Sequence, residues 1–203
     1  MKVVIVDYGM GNIFSIFGAL KYLGIDNVEL SNSTKDLKSA DKLILPGVGN
    51  FYSAVSKITE LGLGRKLNNL VINEKKPILG ICLGMQLLGI SSTENGFNNG
   101  LNFVSGEVKK FSDSNLKIPH VGYNQVRPNP NSRLFKGIRE KTDFYFTHSY
   151  MMQSEKDIGE SLCTYGRDFI ASFEVENVAG VQFHPELSQR NGLLLLKNFI
   201  ELF

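Results

Sequence analysis

The 203-residue chain has no tryptophan, only two cysteines and three histidines, and a formal net charge of only +2. Two cysteines, Cys82 and Cys163, are too few for a disulfide framework, so reduced thiols and a cytosolic setting are expected. The near balance of charge excludes a basic nucleic-acid binder or an anionic-membrane binder as the main reading. The opening run Lys2–Val6 meets Asp7 too soon to read as a signal peptide. No apolar run approaches the roughly 20 residues that a membrane helix needs. There is no P-loop and no Gly-x-Gly-x-x-Gly behind a strand. His120 and His148 stand far apart with no Cys/His ligand spacing, so neither a metal nor another cofactor is expected. Repeats, linkers and low-complexity tracts are also missing. With 42% apolar and 21% charged residues, one globular domain over residues 1–203 is expected.

What is present alternates in its first half. Lys2–Val6 is a β-branched run. Ile13, Ile16, Phe17 and Leu20 follow at helical spacing, with Asn12 at the cap position. Strands are expected at Asn27–Leu30, Lys42–Leu45 and Pro77–Ile81, and helices over Tyr52–Asn73 and Leu83–Leu88. This βαβ order predicts an open, mostly parallel α/β sheet with helices on both faces. Sites in such sheets lie at the carboxyl ends of the strands, where Asp7–Asn12, Pro46–Asn50 and Cys82–Gly84 would gather. The second half reads as an added region of short antiparallel strands: Phe103–Phe111, His120–Arg127, Thr142–Tyr150, Ser161–Tyr165, Phe169–Val175 and Val178–Phe183. Thr93–Gly100 reads as a loop and Ser112–Asn115 as a hairpin tip. Asn191–Leu202 closes as an amphipathic helix.

One segment concentrates chemistry. In Gly80-Ile81-Cys82-Leu83-Gly84 a buried strand turns through a glycine-flanked cysteine into a helix, the cysteine form of a nucleophile elbow. A thiol attacks carbonyl carbon as thiolate and needs a base. His184 ends the strand Gly180–Phe183, and Glu186 stands two residues on, on the same side of an extended backbone. A carboxylate there fixes the imidazole tautomer and supports the imidazolium. The N–H of Leu83 is placed for an oxyanion. The alternatives are a small buried cysteine at a strand end and a strand-end His-Pro turn with a solvated glutamate. In Pro46-Gly47-Val48-Gly49 a second oxyanion donor at Val48 competes with an ordinary β-to-α turn. Cys163 lacks an elbow and reads as core.

These segments resemble the class I, triad glutamine amidotransferases. Asp7–Asn12, Leu45–Gly49, Pro119–Asn124 and Tyr145–Tyr150 look like the glutaminase subunits of imidazole glycerol phosphate synthases, over Val3 to Phe199. The resemblance implies Cys82 as nucleophile, His184 as base and acid, Glu186 as its orienter, and Val48 and Leu83 as oxyanion donors. It implies that Gly49, Gln86, Glu94 and the backbone of His148, Ser149 and Tyr150 hold glutamine. It implies ammonia passing to a (βα)₈-barrel cyclase in a heterodimer, faced by Asn12, His120, Tyr123 and Asn124, without a cofactor. Tyr123, Gly89, Ile90, Leu187 and Gln189 depart from the usual pattern. They leave open a paralogue that feeds ammonia to amidination of a surface-polysaccharide sugar. A non-catalytic partner-binding module and a hydrolase of peptides or γ-glutamyl chains are the other rivals.

Overall fold

Alternate residues of the first strand feed two separate cores. In β1 (Val3–Val6), Val4 and Val6 join one buried cluster, while Val3 and Ile5 join another. Side chains alternate across a strand, so the sheet is covered on both faces. The computed structural model describes residues 1–112 and 116–203; of the hairpin tip expected at Ser112–Asn115, residues 113–115 lie outside the described residues.

The remaining strands are β2 (Val28–Ser31), β3 (Lys42–Leu45), β4 (Ile78–Ile81), β5 (Ser91–Ser92), β6 (Asn98–Asn99), β7 (Glu107–Lys110), β8 (His120–Arg127), β9 (Thr142–His148), β10 (Tyr150–Gln153), β11 (Ser161–Tyr165), β12 (Arg167–Val175) and β13 (Val178–Val181). A nine-stranded sheet runs β2-β1-β3-β4-β13-β12-β11-β8-β9. Its first five strands are mutually parallel, and the rest pair antiparallel. The short strands of the second half therefore mostly extend the main sheet. The others build a small mixed sheet, β10-β7-β5-β6.

The helices are α1 (Ile13–Tyr22), α2 (Thr34–Ser39), α3 (Phe51–Glu60), α4 (Leu63–Asn68), α5 (Leu83–Leu87) and α6 (Gln189–Leu202). Leu20 of α1 and Leu196 and Phe199 of α6 cover one face with Val3, Ile5 and Leu79. Phe51 of α3 and Leu67 of α4 cover the other with Val4, Val6 and Leu45. The helical stretch expected over Tyr52–Asn73 is broken at Gly62, whose φ of +62° is left-handed, and it ends in a π-helical turn at Asn69–Asn73. The stretch Thr142–Tyr150 is two strands in different sheets, with Ser149 at the corner between them. Parallel alignment of β1, β3, β4 and β13 brings their carboxyl ends to one edge, and the loops beginning at Asp7, Pro46, Cys82 and Gln182 leave from that edge.

Candidate active site

The turn from β4 into α5 holds Cys82 at φ +53° and ψ −109°. A non-glycine residue there is strained, and such strain gathers at functional positions. The surroundings hold it in place. Cys82 N donates to Val181 O at 2.8 Å, tying the elbow to β13. A Cβ on Gly84 would lie 1.9 Å from Leu45 O, and one on Gly80 would lie 2.7 Å from Gly84 backbone. The two flanking glycines thus allow the elbow to close on itself and on β3.

The next loop lies against it. A Cβ on Gly47 would meet Gly84 N at 2.6 Å and the Leu83 side chain at 2.7 Å. Buried Tyr8 donates its hydroxyl to Pro46 O at 2.5 Å and pins the same loop. Burial pushes its hydroxyl well above the usual range, so it stays protonated and keeps donating.

His184 and Glu186 meet as expected. His184 Nδ1 and Glu186 Oε1 are 2.8 Å apart, and both side chains are almost fully buried. His184 N donates to Tyr145 O, and Ser188 Oγ donates to His184 O while accepting from Tyr145 N. Strand β9 therefore holds the His-Pro-Glu turn. Burial opposes the imidazolium, but the negative charge of the Cys82 sulfur and the hydrogen bond and charge of the Glu186 carboxylate outweigh it and raise the His184 pKa to about 10. Nε2 of His184 and Oε2 of Glu186 are buried without hydrogen-bond partners. One nitrogen of the ring is thus oriented and the other is free to exchange a proton.

A cavity of about 260 Å³ joins these parts, lined by Val48, Gly49, Cys82, Leu83, Gln86, Glu94, the His148–Tyr150 corner and His184, together with Pro119 and Thr147. It takes one small solute. Every residue expected at the nucleophile, base, oxyanion and substrate positions lines it except Glu186, which lies behind His184. Two of these side chains are partly committed. Glu94 Oε2 accepts from Phe51 N at 2.8 Å, and both hydrogens of Gln86 Nε2 are used, on Tyr150 O and on Gln182 Oε1. Cys82 Sγ lies 3.7 Å from Gln182 Nε2 and 3.9 Å from Thr147 O.

Four residues were expected on a partner-facing surface. Tyr123 is about half exposed, and Asn12 and Asn124 are half-buried. His120 corrects the expectation: it is 3% exposed, with its ring stacked on Phe146 and Tyr165, so its side chain is not available to a partner in this structure. Pro119–Asn124 is also mostly strand, not loop. Asn12 sits at the α1 cap position without a side-chain capping bond; its Nδ2 donates instead to Glu186 Oε1 at 3.3 Å.

Sequence reading missed Gln182, Thr147 and Tyr8. Gln182 carried a signal, as the one polar side chain in the apolar run Val178–Phe183, fully buried and therefore in need of partners. Thr147 acts through its backbone carbonyl and left none. Among the described residues no group of three or more His, Cys, Asp or Glu side chains is arranged to hold a metal ion, and no helix is long and apolar enough to cross a membrane.

Residues 4–202 match the family described as glutamine amidotransferase class-I. The chain is 44% identical to imidazole glycerol phosphate synthase subunit HisH 1 of Campylobacter jejuni (strain RM1221), covering 98% of this chain and all of that one. It is 42% identical to the HisH subunit of Leptospira borgpetersenii, covering 98% of each. A solved structure described as a glutamine amidotransferase superposes with a TM-score of 0.74 at 17% identity, covering 98% of this chain and 97% of that one, a likeness of fold. With the elbow, the His184–Glu186 pair and nearly full-length relatives in agreement, the chain belongs to the class-I glutamine amidotransferases, among the HisH subunits of imidazole glycerol phosphate synthase.

Proposed function

We propose that the chain is the glutaminase subunit of an imidazole glycerol phosphate synthase, hydrolysing glutamine through Cys82 and delivering ammonia to a cyclase partner in histidine biosynthesis. The observation that carries this reading is the gathering of Cys82, His184 and the Glu186 carboxylate behind it at one small cavity. The thiol proton of Cys82 already rests on His184 Nε2 when Sγ, as thiolate, attacks the side-chain carbonyl carbon of glutamine. The raised proton affinity of His184 favours that placement. Charge moves onto the carbonyl oxygen, where the backbone N–H groups of Leu83 and Val48 receive it. Collapse breaks the C–N bond, and the nitrogen takes the proton from His184 and leaves as ammonia. Water then gives a proton to His184 and its oxygen attacks the thioester carbon. The C–S bond breaks, sulfur leaves as thiolate beside the protonated His184, and glutamate departs.

Gly49, Gln86, Glu94 and the His148–Tyr150 backbone hold the substrate. Because Gln86 Nε2 is fully used within the protein, only its Oε1 remains, as an acceptor. Asn12, Tyr123 and Asn124 mark the face toward a cyclase of (βα)₈-barrel type. Two free, unbridged cysteines fit a cytoplasmic setting. The names of the relatives do not favour the polysaccharide-amidating paralogue, and the complete triad does not favour a non-catalytic module.

The test is glutamate and ammonia release by the purified chain, alone and with a histidine-pathway cyclase carrying its ligand. A low rate alone, a higher rate in the complex, and loss of both in Cys82→Ala are expected. A complex that leaves glutamine intact, or a Cys82→Ala protein that retains the rate, overturns the reading.

A further inference from the structure

Two histidines that sequence spacing left unconnected face each other directly. His120 and His148 are register partners on β8 and β9, and His120 Nδ1 lies 3.1 Å from His148 Nε2. The directions of the bonds follow from the chain ends. His148 Nδ1 is 2.8 Å from Tyr150 O, and a carbonyl only accepts, so Nδ1 carries the hydrogen. Burial pushes the pKa of His148 down to about 3 and that of His120 down to about 4, so each ring holds one hydrogen at neutral pH. His148 Nε2 is then an acceptor, and His120 Nδ1 must donate to it. His120 Nε2 is in turn an acceptor, 3.5 Å from Asn124 Nδ2, whose other hydrogen goes to Thr164 O at 3.0 Å.

The far end of this chain reaches the cavity. Tyr150 O also accepts from Gln86 Nε2 at 3.1 Å, Gln86 Nε2 donates to Gln182 Oε1 at 2.9 Å, and Gln182 Nε2 lies beside Cys82 Sγ. The chain ends on a carbonyl, so it cannot pass a proton to the thiol. What it can do is fix positions, because every donor in it has one acceptor and every ring one tautomer.

We infer that His120 and His148 are positioning residues: a one-way hydrogen-bond chain from Asn124 through both rings to Tyr150 O sets the Ser149 corner of the cavity and, through Gln86 and Gln182, the surroundings of Cys82 Sγ. The inference rests on the glutaminase reading for its consequence but not for its geometry, and the test separates the two.

Nitrogen-15 spectra of the histidine rings in the wild-type protein at neutral pH are expected to show His120 and His148 both protonated at Nδ1, the less common neutral tautomer. In the complex with a histidine-pathway cyclase, His120→Phe keeps a ring between Phe146 and Tyr165 but removes the donor. It is expected to raise KM for glutamine about tenfold with a smaller change in kcat, the size expected for loss of one buried hydrogen bond. His120→Asn, which presents an amide N–H where Nδ1 stands, is expected to stay within about threefold of wild type. An Nε2 proton on His148, an unchanged KM in His120→Phe, or a His120→Asn protein as impaired as His120→Phe overturns the inference. If His120→Phe does not fold, the wild-type tautomers decide. If the wild-type complex leaves glutamine intact, the glutaminase reading fails, and the tautomers still decide the chain.

Discussion

Asn12 Nδ2 and His184 Nδ1 converge on the same oxygen of Glu186, at 3.3 and 2.8 Å. The first residue before α1 therefore steadies the carboxylate that orients the proposed base. Asn12→Ala is expected to leave the fold intact, since the side chain makes no capping bond. It removes one of two hydrogen bonds that hold a buried charge, and a lowering of kcat by about three- to tenfold is expected, with KM little changed. Steady-state glutamate release by the cyclase complex measures it. An unchanged kcat shows that Glu186 is held without Asn12.

The strained backbone at Cys82 gives an expectation that separates stability from chemistry. Cys82→Ala and Cys82→Gly both remove the thiol and are both expected to be inactive. They differ at φ +53°, where glycine is at ease and alanine is not. The glycine variant is expected to be more stable than the alanine variant by about 1–2 kcal/mol. Urea unfolding of the two proteins side by side checks this, and equal midpoints remove strain from the account of the elbow.

The elbow was legible because its chemistry is written in neighbouring residues: an apolar strand, Gly80, Cys82, Gly84 and a helix former. The same holds for His184 and Glu186, two residues apart. What the sequence hid is set by pairing across distance. His120 and His148 meet only because β8 and β9 align in one register, which residues 120–148 do not announce. Asn12 looked like a helix cap because its identity suits one, and tertiary contact gave its side chain to Glu186 instead. The corner at Ser149 was invisible because no glycine or proline marks it. Helix α2 did leave a signal that went unused: Ser33 and Asp36 stand three apart, and Ser33 Oγ accepts from Asp36 N while donating to its carboxylate.

Close packing of the elbow against β3 leaves no room for a side chain at Gly84. A methyl group there would meet Leu45 O at 1.9 Å, and the obstacle is backbone of a buried strand, which cannot turn aside as a side chain can. Gly84→Ala is expected to destabilise the protein by about 1–3 kcal/mol, the range for overpacking that forces backbone shifts. Chemical denaturation tests it. A loss below about 0.5 kcal/mol would mean that α5 shifts freely relative to β3.

The buried histidines set opposite signs on the pH dependence of stability. His148 is held neutral by burial, with its pKa pushed down to about 3, whereas the unfolded chain takes a proton near the ordinary value of 6.5. Its contribution is therefore fully present above about pH 6.5 and is lost as the pH falls toward 3. His184 runs the other way. Its pKa is raised to about 10, so its contribution is present below about pH 6.5 and is lost as the pH rises toward 10. His148→Asn removes one acid-labile group and keeps the His184–Glu186 pair in place. Wild type should lose on the order of 2–3 kcal/mol more stability than this variant between pH 7 and 4.5. Urea unfolding at the two pH values gives the difference directly, with the variant less stable at pH 7 and the gap closing on acidification. Parallel acid limbs would show that the His148 ring takes up its proton in the folded protein, and the direction assigned to the His120–His148 hydrogen bond would then hold only at higher pH, since a protonated Nε2 cannot accept.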